Sequence, residues 1–287
     1  MDYLLLLLSI IFAVVKSSVF NKYAKGVKPG LSGIFKFNTV SYAIAFIILL
    51  LCGVRFDVSP FSVIMAFCYA VIVFSLQCCS VAAMSVGSMS LTSLFVLYGM
   101  IIPSLAGPIF WSEPFGVSQI VGIVFMLASL WLLSDKEDKL EAKGKWIILV
   151  IACFIFSGSA GLAEKVHQMS EYKDELQPFL LTGFLFMFLL SFTGTSVLAL
   201  KNKEKPFINI KPILVYGAAT GVILSVYNRI NLMLSGRLNS MVYYPVSNGG
   251  ALLLTVVVST LIFKEKLTKR QLTGFLIGLA AIIVLSI

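Results

Sequence analysis

The chain has 287 residues, of which 59% are hydrophobic and 12% charged, with a mean hydropathy of +0.99 and a net charge of +9. A soluble domain is roughly a quarter charged, so a soluble enzyme, a disordered chain and a single-anchor protein are excluded. Ten spans of about 20 residues would use about 200 and leave no room for a separate soluble domain.

The amino-terminal run Tyr3–Val15 is read as a first span, not a secretion signal. Asp2 stands where a basic region would be, and no small-residue cleavage site follows. Apolar runs bounded by Pro, Gly and charge then predict transmembrane helices in chain order. They are Tyr3–Phe20, Leu31–Leu51, Pro60–Ala83, Ser90–Phe110, Val117–Leu133, Trp146–Ala163, Pro178–Leu200, Pro212–Leu234, Met241–Phe263 and Leu272–Ile287. The runs are long and continuous and lack the ten-residue alternation of a barrel. Cys52, Cys68, Cys78, Cys79 and Cys153 all lie in apolar runs, where a thiol is a small hydrophobe, and no metal spacing is present.

Charge orients the spans. Loop one carries Lys22, Lys25 and Lys28, and loop five Lys136, Lys139, Lys143 and Lys145. Loop seven carries Lys201, Lys203, Lys205 and Lys211, and loop nine Lys264, Lys266, Lys269 and Arg270. The odd loops thus hold fifteen basic residues, against Arg55, Lys165, Lys173 and Arg237 in the even loops. This bias places the odd loops in the cytoplasm and both termini outside. It also accounts for the basic balance without nucleic acid.

The chain repeats itself. Glu113-x5-Gln119-x2-Gly122 after span four matches Glu265-x5-Gln271-x2-Gly274 after span nine, and Leu127-Ala128 matches Leu279-Ala280. Ser85-Val-Gly87 resembles Ser235-Gly236 in the turn before those spans, and the first spans of each half end in Asn21-Lys22 and Glu164-Lys165. The expected fold is therefore an all-α polytopic membrane protein of ten helices in two five-helix repeats, residues 1–134 and 145–287, joined by a charged linker at 135–144. Five is odd, so the second repeat is inverted, which is the sequence mark of alternating-access carriers with a site near the midplane.

The ten-span layout and paired Glu-x5-Gln-x2-Gly resemble the EamA-type branch of the drug/metabolite transporter superfamily. Lys36-Phe37 sits where that branch often carries Arg-Phe, and Tyr244-Pro245-Val-Ser-Asn248-Gly249-Gly250 with Phe263-Lys264-Glu265 looks like its ninth helix. The resemblance implies a basket of helices around a central cavity, with spans five and ten outside as braces. Substrates across that family include amino acids, metabolites, drugs, sugar phosphates and nucleotide sugars. One departure is orientation: several branches are drawn with both ends cytosolic, whereas the charge bias here puts both outside.

Ionisable groups inside hydrocarbon are costly and mark function. Lys16, Lys36 and Arg229 fall within the predicted spans. Lys16 and Lys36 lie near span ends, where a lysine can snorkel, so Arg229 is the leading candidate, with interfacial anchoring as its other reading. Around it, Asn228 and Asn231 share a helix face and Tyr227 aligns with Asn231. Such a cluster serves either a watery cavity or interhelical hydrogen bonding. Gln77 is the approximate repeat partner of Tyr227. Span nine adds Tyr243, Tyr244, Pro245, Asn248, Gly249 and Gly250, and span four the matching Tyr98, Gly99 and Pro103. Proline frees a carbonyl and glycine admits a close approach, of a ligand or of a packing neighbour. The expected substrate site comprises Lys16, Gln77, Tyr98, Tyr227, Asn228, Arg229, Asn231, Tyr244 and Asn248.

Glu113 and Glu265 are read as structural, favoured by the N-terminus of the following helix. Gly122 and Gly274 are read as close-packing positions. His167 is placed in a polar loop without a role. No carboxylate lies deep in a predicted span, Glu164 being the nearest, and cationic residues favour a cargo bearing carboxylate or phosphate. With one histidine and no buried acid pair, an embedded enzyme is not expected. No Gly-x4-Gly-Lys-Ser/Thr occurs either. The expected function is a multi-pass secondary transporter of the cell membrane. It moves a small polar or anionic metabolite, such as an amino acid, by alternating access. The alternative is a lipid or glycolipid flippase of the same fold. The expected partners are the substrate and the bilayer, with the coupling ion open, a monomer or homodimer, and no cofactor, metal or nucleic acid.

Overall fold

A computed structural model describes residues 1–27, 30–53, 58–133, 144–203, 210–262, 268–285 and 287. The described residues are helical, with no strand. The helices are α1 (Asp2–Val27), α2 (Leu31–Leu51), α3 (Pro60–Val86), α4 (Met89–Tyr98), α5 (Ile101–Trp111), α6 (Val117–Leu133), α7 (Gly144–Gln168), α8 (Leu176–Asn202), α9 (Lys211–Arg237), α10 (Ser240–Ile262) and α11 (Lys269–Leu285). Among the described residues eight segments are long and apolar enough to cross a membrane, with α4 and α5 counted as the one segment Leu91–Trp111. Helices α6 and α11, on the predicted fifth and tenth spans, have 17 residues each. Among the described residues each predicted span is helical over most of its length, with a turn at Gly99–Met100 inside the fourth. Glu265, Arg55, Lys28, Lys136, Lys139, Lys143, Lys205, Lys264 and Lys266 lie outside the described residues.

Local chemistry sets several helix ends. Ser88 caps α4, its Oγ accepting the Leu91 N–H at 3.0 Å. The paired motif explains itself at α6 and α11. The Gln119 Oε1 accepts the Gly116 N–H at 2.7 Å, and the Gln271 Oε1 accepts the Thr268 N–H at 3.0 Å. Each glutamine reaches back three residues to an otherwise orphaned amide, as in a capping box. Helix α5 contains Pro108 and ends at Ser112 in the left-handed region, φ 51°.

The chain forms two compact units. The first comprises Met1–Val14, Ser75–Lys165 and Arg237–Ile287. Its most extensive helix pairing is α6 with α11, followed by α5 with α10. The α6–α11 contact is close because of glycine. A Cβ on Gly274 would lie 2.8 Å from Leu132 Cβ, and one on Gly278 would lie 2.5 Å from Ser129 Oγ. Ser129 Oγ donates to the Gly274 carbonyl at 2.7 Å across the same seam. The second unit comprises Val15–Phe74 and Val166–Gly236 and is built on α2 against α8. Thr39 and Thr195 meet there at 3.4 Å between hydroxyls, and Tyr23, Phe37 and Ile213 form a buried cluster.

Two helices outrun their predicted spans by more than a turn. Helix α1 continues to Val27, so Lys16 sits well inside it and not one turn from its end. Helix α7 continues to Gln168, so Lys165 and His167 belong to helix and not to the predicted loop. Their relative exposures are 1% and 0%. Counting apolar residues stops at the first charge. The backbone continues because Glu164–Gln168 has adequate helix propensity and its polar groups find buried partners.

Candidate substrate site

Helix α9 carries the polar stripe predicted for span eight. Asn228 and Asn231 are 9% and 7% exposed, and Tyr227 is half-buried. Arg229 is exposed. One residue's rotation of 100° turns it off the face that Asn228 and Asn231 share, so the structure separates the arginine from the asparagines.

The half-buried Lys16 joins the stripe instead, its ammonium 4.4 Å from the centre of the Tyr227 ring. The ring's negative face attracts the cation by about 0.5–2 kcal/mol. Placing a lysine at the centre of a spanning helix costs about 2.5–3.5 kcal/mol or more. The ring therefore offsets only part of the cost, and water or an anionic group suits the remainder. Among the described residues the ion pairs are Lys165–Glu113 and Arg237–Asp2, and Lys16 belongs to neither. The Asn228 Nδ2 donates to its own helix at the Leu224 carbonyl, 3.0 Å away.

Lys16, Tyr227, Asn228, Arg229 and Asn231 all belong to the second unit, whereas Gln77, Tyr98, Tyr244 and Asn248 belong to the first. In the first unit the predicted hydroxyls bind backbone. Tyr98 donates to the Leu127 carbonyl at 3.0 Å, and the buried Tyr244 donates to the Gly161 carbonyl at 2.8 Å. Asn248 Nδ2 donates to the Tyr244 carbonyl at 3.0 Å. Gly249 and Gly250 accommodate neighbours. A Cβ on Gly249 would meet the Met126 thioether, and one on Gly250 would lie 2.8 Å from Ile10 Cδ1. Gln77 is half-buried in α3, and Lys36 is half-buried near the start of α2.

Two polar clusters escaped the sequence reading. In the first unit, Lys165 pairs with Glu113, whose Oε2 also accepts the Ser240 N–H at 2.7 Å. In the second, His167 is fully buried with Ser62 Oγ 2.9 Å from its Nε2 and Gln168 Nε2 3.1 Å from its Nδ1. An amide nitrogen only donates, so Nδ1 accepts and Nε2–H donates to Ser62. Glu175 completes this cluster by accepting from Ser59 Oγ at 2.7 Å and Ser59 N–H at 3.0 Å. The available signal was the density of polar residues in Glu164–Gln168, directly after an apolar run.

All five cysteines are free, and among the described residues no group of His, Cys, Asp or Glu could hold a metal ion. No family model and no curated protein matches the chain. Among the solved structures similar in fold is a crystal structure with a TM-score of 0.78 over 99% of this chain and 95% of that one at 12% identity.

Proposed function

We propose that the protein is a secondary transporter that moves a small polar or anionic metabolite across the cell membrane by alternating access, as the EamA-type resemblance implies. The observation that carries this reading is Lys16, an ammonium within an apolar helix whose ring partner offsets only part of its cost. A carboxylate or phosphate on the cargo supplies the rest, with Asn228 and Asn231 as neighbouring hydrogen-bonding groups.

The helix pairings support two repeats of five spans. Helices α2 and α8 are the second spans of each half, α5 and α10 lie on the fourth, and α6 and α11 are the fifth. These three pairings set like on like, which suits a two-fold relation between repeats. The same cap made by Gln119 and Gln271 points the same way. An odd number of spans per repeat inverts one against the other, which suits alternating access. The positive odd loops are assigned to the cytoplasm.

Proteoliposomes loaded with labelled amino acids, organic acids and phosphorylated metabolites test the reading. At least one compound should leave faster than from protein-free liposomes. Release no faster than the control for every class contradicts transport of polar metabolites.

A further inference from the structure

The carboxylate of Glu113 ties three segments of the first unit together. It follows the end of α5, pairs with Lys165 near the end of α7, and accepts the Ser240 N–H at the start of α10 at 2.7 Å. The Lys165 Nζ also lies 3.5 Å from the Leu238 carbonyl, and Asn239 Nδ2 donates to the Pro114 carbonyl at 2.6 Å. These polar contacts link the turns before α6 and before α10. The Lys165 side chain is 1% exposed and that of Glu113 is 12% exposed.

A buried ion pair is a poor static brace, because desolvation cancels much of the attraction, yet removing one partner is costly. It suits a contact that is either wholly made or wholly broken. The two helices that Glu113 ties, α5 before it and α10 through the Ser240 N–H, are each jointed nearby. Pro108 lies five residues before Glu113, and Pro245 five residues after Ser240. Each proline removes a helix hydrogen bond, so each helix end can swing without unravelling the rest. An open pocket of about 290 Å³, lined by Pro114, Phe115, Gln119, Asn239 and Val242, borders the two turns and leaves space beside them.

We propose that Glu113 and Lys165 form a latch that holds the α5 and α10 ends shut on one face of the membrane, and that it opens during transport. This rests on the carrier reading given above. Glu113 and Lys165 are positioning residues in it.

The test needs no substrate, so its failure is separate from a failure of the carrier reading. Ser104, fully buried in α5, lies nine residues before Glu113. In a cysteine-free background in nanodiscs, Ser104→Cys is labelled with a membrane-impermeant maleimide. Glu113→Gln and Lys165→Met should each raise the labelling rate at least tenfold, while Glu171→Gln, at an exposed carboxylate, leaves it unchanged. Asn239→Ala, which removes the second tie together with the Oδ1 that accepts the Met241 N–H at 2.9 Å, should raise it less. A contact that merely stabilises the fold would lower the melting temperature without exposing Ser104→Cys, and unchanged labelling in folded Glu113→Gln and Lys165→Met overturns the latch. If neither folds, the latch stands or falls on Asn239→Ala: faster labelling supports it and an unchanged rate overturns it.

Discussion

The Lys16 ammonium lies over the ring of Tyr227 at 4.4 Å from its centre, a contact between two apolar helices. Arg229 is exposed, so of the predicted cations it is Lys16 that meets the polar stripe of α9, at Tyr227. Lys16→Met should weaken binding of an anionic cargo at least tenfold, about 1.4 kcal/mol. Lys16→Arg keeps the charge and should lose less. Arg229→Gln should have the smallest effect of the three. Ligand-induced shifts in melting temperature across the three variants check the order, and an Arg229→Gln effect equal to Lys16→Met contradicts it.

His167 is a stability residue rather than a spectator. Its ring is enclosed by Ser62, Gln168 and Phe179, the last at 4.2 Å between ring centres. His167→Ala leaves two buried polar partners and a void, and should cost about 2–4 kcal/mol. Thermal unfolding in detergent measures this. A change of under about 0.5 kcal/mol, the range of neutral surface substitutions, would show that the ring is dispensable.

The seam between α6 and α11 has no room for a larger residue at Gly274, where a Cβ would lie 2.8 Å from Leu132 Cβ. Gly274→Val should therefore destabilise by about 1–3 kcal/mol through overpacking. Gly144, with open space around it, is the control position. Equal melting temperatures for Gly274→Val and Gly144→Ala would mean that the seam is loose.

The two motif glutamines cap separate helices. Gln119→Ala and Gln271→Ala should each cost about 0.5–2 kcal/mol, and the double variant should be close to additive. Unfolding measurements on the three variants decide. A double variant no worse than either single one would show that the caps are not independent.

Orientation is open to direct test. A single cysteine at Asn202, at the end of α8, should resist impermeant thiol reagents added outside intact cells and react after the membrane is opened. Labelling from outside would invert the assigned topology.

The helices were legible because the bilayer demands long apolar runs, and the predicted runs are largely helical among the described residues. The close packing at Gly122 and Gly274 was legible too, since small residues on apolar helices have few other uses. Three things were not. The ends of α1 and α7 lie beyond their apolar runs, because polar residues continue a helix wherever partners await them, and partners such as Ser62 and Glu113 are distant in sequence. The inward face of α9 depended on its neighbours: periodicity grouped Asn228 with Asn231 but could not say that Arg229 would be left exposed. The hydroxyls of Tyr98 and Tyr244 suit a cavity equally well by composition, and only tertiary contacts show them spent on the Leu127 and Gly161 carbonyls.

A thermal-shift screen on purified protein bears most directly on the carrier reading, because any compound that binds the folded state raises its melting point. A panel of amino acids, organic acids and phosphorylated metabolites should contain at least one stabilising compound that bears a carboxylate or phosphate, and Lys16→Met should abolish its effect. A panel in which nothing anionic stabilises the protein, or in which the stabilisation survives Lys16→Met unchanged, would contradict an anion-binding site at Lys16.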